Sequence, residues 1–191
     1  MSNIVNIKKD LLNDLSEEDI KQVKYTVSKF ENSITKERLK DSIRYCDWLE
    51  KKVDLNLKSK DNKAKREEDE KKYHPIRPKR GEIFLAELGE NIGSEISQKH
   101  LVLIMQNDKG NLYGDTVVVV PISSSGKLYL THEKILESDI KYGRLDKLPS
   151  KAKTEQIQYM DKAKLIHKVG ALKDDCLNKI SNRIKKNLDI R

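Results

Sequence analysis

The sequence predicts an α+β protein: a small β-barrel or strongly twisted sheet with a C-terminal helix, preceded by an N-terminal helical extension. Three observations carry this. Residues 16–57 contain neither Gly nor Pro and set their apolar side chains at helical spacing. Past residues 73–79, where Pro75 and Pro78 stop any helix, the apolar period becomes that of strands. At the end of the chain Leu177, Ile180, Ile184 and Leu188 return to one helical face.

Taken in order, Ser16 and Asp19 make a capping-box-like start. Ile20, Val23, Val27, Phe30 and Ile34 then alternate three and four apart, and a second stripe runs through Leu39, Ile43, Cys46, Leu49, Val53 and Leu57. Residues 32–35 are the expected break, giving a pair of amphipathic helices or one long interrupted helix. The plain reading is a hairpin packed on itself or on a second subunit; the other is a binding role for Trp48 or the exposed face. Residues 58–72 carry almost only charge and read as a solvated helix or a disordered tether. The expected domains are therefore a helical hairpin or coiled coil over 1–58, a charged linker over 59–78 and a folded domain over 79–191.

Strands are expected over 81–88, 101–106 and 116–122, with a turn cluster at 107–111, and later strands over 129–133 and 154–160. The closing helix starts at about Asp174, a candidate N-cap.

Charge narrows the function classes. With 39 basic and 31 acidic residues the chain carries +8 and a pI near 9.2, which favours a polyanionic partner. Residues 71–80 hold five basic side chains and no acid, whereas residues 1–70 balance 16 against 16. Cys46 and Cys176 both fall on apolar stripes and read as reduced core residues, and no apolar run approaches the roughly 20 residues that span a bilayer. The first ten residues lack a signal-peptide pattern, so the expected location is cytoplasmic and no membrane is involved. The four histidines lack metal-ligand spacing, and no phosphate-binding glycine loop or Cys pair occurs; no metal or cofactor is expected.

His100 immediately precedes the buried strand 101–106, follows Lys99, and ends a long polar loop over 89–99. Ser123 begins a Ser-Ser-Ser-Gly run directly after the strand 116–122. If these strands are antiparallel neighbours, His100 and Ser123 share one end of the sheet, and a basic group and a hydroxyl face one cleft.

With that pair in view, the chain resembles the MazF/PemK-type toxins of bacterial toxin–antitoxin systems over residues 79–190. The resemblance rests on Arg80-Gly81-Glu82-Ile83-Phe84-Leu85-Ala86-Glu87-Leu88, on Gly93-Ser94-Glu95, and on Gln106-Asn107-Asp108 with Gly110-Asn111 and Tyr113. It continues through residues 116–123 and through Glu155-Gln156-Ile157 with Asp161-Lys162. It implies an SH3-like barrel, a homodimer, and sequence-specific, metal-independent cleavage of single-stranded RNA. In that reaction the ribose 2′-OH attacks the adjacent phosphate. It also implies a cognate acidic antitoxin, with DNA met only through the toxin–antitoxin complex. The family's catalytic Arg column falls on His100 and its hydroxyl column on Ser123. Glu95 matches the acid of the loop, and Glu155 the acid of the Glu-Gln-Ile block; a frame shifted by one would put Lys99 in the Arg column. Catalysis is thus assigned to His100, Ser123 and Glu95. RNA contacts are assigned to Lys79, Arg80, Ser94, Lys99 and Glu155, with Tyr113 and Tyr129 as stacking candidates.

A histidine is partly neutral at pH 7, unlike Arg. Either His100 becomes an acid–base group while Lys99 supplies charge, or activity has been lost. A catalytically weakened RNA-binding module and a gyrase-poison-like, protein-targeting toxin remain as alternatives. For the N-terminal extension, dimerisation, occlusion of the cleft in cis, and targeting all stay open.

Overall fold

A computed structural model describes residues 15–190. The start of the extension, including the segment weighed as a signal peptide, lies outside the described residues. The chain forms two compact units that meet between Cys46 and Asp47.

In the first unit, helix α1 (Glu17–Glu31) begins with the predicted capping box. The Asp19 N–H donates to Ser16 Oγ at 3.1 Å, and the Ser16 N–H donates back to Asp19 Oδ2 at 3.0 Å. Its apolar seam is solvent-facing: no α1 side chain is buried, and Val23 is 57% exposed. Cys46 is exposed as well, so the expectation that it is a core residue is corrected.

Helix α2 (Leu39–Glu68) runs thirty residues without interruption, so the first part of the charged run is helix. It stops where Asp69 Oδ1 accepts the N–H groups of Lys71 and Tyr73 and Lys72 turns to a φ of 57°, ahead of the two prolines. In the second unit, α2 is fastened largely by polar contacts. Lys58 Nζ donates to the Ala163 carbonyl at 3.0 Å, Ser59 Oγ donates to Asp161 at 2.6 Å, and Arg66 pairs with Asp115 at 2.6 Å. Trp48 is the apolar contact. It lies where a Cβ on Gly89, at φ 91°, would come within 2.4 Å of the indole, so the glycine is required both by its backbone and by the ring.

The sheet has eight antiparallel strands: β1 (Glu82–Glu87), β2 (Lys99–Ile104), β3 (Thr116–Ser123), β4 (His132–Ile135), β5 (Ile140–Gly143), β6 (Ser150–Lys153), β7 (Gln158–Asp161) and β8 (Leu165–Leu172). Their order is β4-β6-β3-β2-β1-β8-β5, with β7 paired to β3 off that path. The first half of β3 pairs with β7 and its end with β6, so the sheet curls into a half-barrel.

Strand alternation splits the apolar side chains between two cores. Ile83, Leu103, Val120 and Ile122 pack under helix α4 (Asp174–Asn187) with Cys176, Leu177 and Ile180. Ala86, Val102, Ile104, Val117 and Val119 face the other way with Met160 and Leu165. Burial pushes the Cys176 thiol up to about 11, as an inert core thiol should be.

Several expectations change. β2 begins at Lys99, two residues early, so His100 is a strand residue. The cluster at 107–111 is not a turn but opens a short helix, α3 (Asp108–Tyr113), capped where Asn107 Oδ1 accepts the Gly110 N–H at 2.8 Å. The strand placed over 129–133 is β4, displaced towards the C-terminus. The strand placed over 154–160 resolves into a 3₁₀ turn at Thr154–Gln156 followed by β7, and β6, just before it, was not anticipated. β5 and β8 were not anticipated. Asp174 is the first residue of α4 rather than its cap; Lys173 holds the cap position without a side-chain bond. Among the described residues no helix is long and apolar enough to cross a membrane.

Candidate active site

β2 and β3 are antiparallel neighbours with Leu101 opposite Ile122, which sets His100 across from Ser123. The row continues on both sides. Ala86 faces His100 from β1, Lys151 faces Ser123 from β6, and Lys134 faces Lys151 from β4. Residues opposite one another share a face, so His100, Ser123 and Lys151 stand side by side, and Lys153, two residues after Lys151, joins them. They form the polar margin of the face carrying Val102 and Ile104.

His100 is half-buried, and its Nε2 is a buried atom with no hydrogen-bond partner. Burial holds the imidazole below its ordinary 6.5, the Lys153 charge adds to that, and a bond to the Ile122 main chain works against both. The ring is therefore neutral at pH 7. Ser123 is 8% exposed and turns back on its own loop, where its Oγ accepts the Ser125 N–H at 3.3 Å. Lys151 is 6% exposed, and its Nζ donates to the Gly126 carbonyl at 2.6 Å, across the same serine loop. A pocket of about 280 Å³ opens where the strands end, lined by Lys99, His100, Ser123, Ser124, Asp146 and Lys147.

Ser94, Glu95 and Glu155 gather elsewhere, in a pocket of about 470 Å³ that includes Gln156. Gln156 fastens the long loop to it, accepting the Ile96 N–H at 2.9 Å and donating to the Ser94 carbonyl at 3.1 Å. The Glu95 carboxylate accepts the Ile92 N–H at 3.2 Å within that loop. Glu155 is held by His132, whose Nδ1 accepts the Tyr129 N–H; Nε2 therefore bears the proton and donates to Glu155 at 2.9 Å. The Tyr129 ring stands edge-on to His132, 5.2 Å away, and is 60% exposed.

Lys79 and Arg80 are not brought to either pocket. Gly81 donates to the Ile104 carbonyl at the far end of β2, roughly 13 Å along the strand from His100. Arg80 is spent structurally there, donating to the Met105 carbonyl and to Ser181 Oγ at 2.8 Å, while the Lys79 N–H donates to Glu82 at 2.8 Å. Tyr113 ends α3, ahead of the other end of β3 from Ser123, against Tyr73.

Sequence reading missed Lys151, Lys153 and the His132–Glu155 bond. A signal existed for the lysines: Ser150-Lys151-Ala152-Lys153 alternates charge with small residues, the pattern of a half-exposed strand. Among the described residues no group of three or more His, Cys, Asp or Glu is placed to hold a metal.

A half-barrel of this strand order, closed by a C-terminal helix, defines a class of small antiparallel barrels. The profile for PemK-like, MazF-like toxins of type II toxin–antitoxin systems matches residues 79–188, and the chain belongs to that family. Over 109 residues it is 38% identical to the endoribonuclease MazF of Staphylococcus saprophyticus, covering 56% of this chain and 87% of that one. The crystal structure of MazF from Deinococcus radiodurans (Form-I) shares the fold at a TM-score of 0.50 and 13% identity, over 59% of this chain and 96% of that one. An endoribonuclease in complex with its cognate antitoxin from Mycobacterial species aligns at a TM-score of 0.47 and 21% identity, over 60% and 96% of the two chains.

Proposed function

We propose that the protein is the toxin of a toxin–antitoxin pair and an endoribonuclease that cuts single-stranded RNA by attack of the ribose 2′-OH on the adjacent phosphate. The observation that carries the reading is the neutral His100 imidazole, with an unpartnered buried Nε2, directly across from the Ser123 hydroxyl on a barrel of this family. The named relative is an endoribonuclease, which supports it.

In this mechanism the bound RNA displaces the side chains that cover Nε2, Nε2 accepts the 2′-OH proton and the 2′-oxygen bonds to phosphorus. Ser123 donates a hydrogen bond to a non-bridging oxygen as charge develops. The bond to the 5′-oxygen breaks, the leaving oxygen takes a proton from water in the open pocket, and a 2′,3′-cyclic phosphate remains. None of these steps uses a metal or cofactor. Glu95, assigned to catalysis on resemblance, lines the second pocket with Ser94 and Glu155. There it accepts hydrogen bonds from base edges, so that this pocket reads sequence while the first does chemistry. Tyr129 is the stacking platform beside it. Lys99 meets phosphate at the mouth. Family membership further supports an acidic cognate antitoxin, a homodimer, and contact with DNA through the antitoxin complex alone; the substrate implies a cytoplasmic site of action.

End-group analysis of a long single-stranded RNA incubated in EDTA tests the reading. Cyclic phosphate and 5′-OH ends made by wild type, and not by His100→Ala or Ser123→Ala, are expected. RNA bound and left intact by wild type would make the protein a binding module instead.

A further inference from the structure

The proposed chemistry needs fixed positive charge against the phosphorane, and on the His100 face β2 does not provide it: Lys99 alternates to the opposite face, and the position where the resemblance puts an Arg is a neutral histidine here. Strand β6, on the far side of β3, does. Lys151 is buried, yet among the described residues it forms no ion pair; its ammonium, with three N–H donors, uses one on the Gly126 carbonyl.

Other buried or half-buried cations of the domain are compensated. Arg66 meets Asp115 at 2.6 Å and Arg183 meets Glu133 at 2.9 Å, while the fully buried Lys162 lies in the field of Asp115 and Asp161 and the half-buried Lys164 in that of Glu87 and Asp161. Glu155, the acid closest to Lys151 and Lys153 in sequence, is engaged by His132. Lys153 has no hydrogen-bond or ion-pair partner among the described residues, and its charge acts on the His100 ring. A desolvated ammonium with donors to spare and no carboxylate is costly unless an anion completes it.

We propose that Lys151 and Lys153 of β6 form the seat of the scissile phosphate, supplying from beyond Ser123 the charge that His100 does not carry. The ligand class is a phosphodiester, and the placement follows from the Ser123–Lys151 register. The seat rests on the nuclease reading. It divides the work: β2 removes the proton, β3 supplies the hydroxyl, and β6 holds the charge.

The test uses the full-length protein with two probes, a cleavable single-stranded RNA and the same strand with 2′-O-methyl riboses, titrated over a salt series. Lys151→Gln and Lys153→Gln should each weaken binding of the methylated strand about tenfold. Each should flatten the log–log salt slope by about 0.7 and lower kcat by at least tenfold. Lys151→Arg should restore most of the loss, because it restores charge rather than shape. Lys141→Gln, on exposed β5 at the other margin of the sheet, serves as the charge-count control and should leave kcat unchanged. Lys153 is partly exposed, so its variant keeps the test open if Lys151→Gln fails to fold. Wild-type kcat and slope in Lys153→Gln and in a folded Lys151→Gln would overturn the seat and leave the nuclease standing. A wild type that cuts no RNA overturns both.

Discussion

The two ends of the central strands treat charge in opposite ways. At the end where β2 finishes, Arg80 and its partners are satisfied, although the buried, neutral Asn111 Oδ1 there lacks one: Arg80 binds the Met105 carbonyl and Ser181, and Asp108 accepts the Arg80 N–H at 2.7 Å. At the end where β2 begins, among the described residues, an imidazole nitrogen lacks a partner, the Lys153 side chain has none and the Lys151 ammonium has a single carbonyl. Both ends are basic, so basicity does not mark the site. What marks it is charge left incomplete, because a fold holds an uncompensated polar group at a cost that a ligand can offset.

The largest effect should come from His100→Ala, which removes the proposed base and should lower kcat by roughly 10²–10⁴-fold. Ser123→Ala, which removes one hydrogen bond to the developing charge, should cost about 10²-fold with RNA binding retained. Single-turnover cleavage beside gel-shift binding separates the two effects; loss of binding in either variant would move these residues from chemistry to recognition.

His132→Gln tests the second pocket. Without the imidazole to hold it, the Glu155 carboxylate becomes mobile, and KM should rise about three- to tenfold while kcat stays within twofold. A fall in kcat alone would place Glu155 in the chemistry. The smallest effect should come from the satisfied end. Arg80→Met removes two hydrogen bonds and should lower stability by about 1 kcal/mol, read as a drop of a few degrees in Tm.

Much of this was legible in the sequence, and the failures have physical causes. β1, β2 and β3 were readable because they are buried on both faces and therefore write continuous apolar runs. β5 and β8 were not, since Ile166, His167 and Lys168 put solvent-facing side chains within a strand and break its alternation. The His100–Ser123 pairing followed from topology alone, since two adjacent antiparallel strands must share an end. Lys79 and Arg80 lie away from both pockets, because a basic cluster in sequence says nothing about which end of a sheet it reaches. Lys151 was invisible as a partner of Ser123 because β6 is only four residues long and carries two lysines, so it writes no apolar run that would mark a strand there. The apolar seam of α1 was read correctly as amphipathic, yet it faces solvent, so periodicity reported the pattern and not its partner.

The neutral, hydrogen-accepting His100 is the centre of the account, and the pH dependence of single-turnover kcat/KM tests it most directly. Its pKa lies below 6.5 in the folded protein, so the base form is lost only as the pH falls through that lowered value. The rate measured in EDTA should climb from pH 4.5, with a midpoint below 6.5, and level off by neutrality. A rate that falls as the pH rises through this range, or one that does not change, would contradict a base at His100.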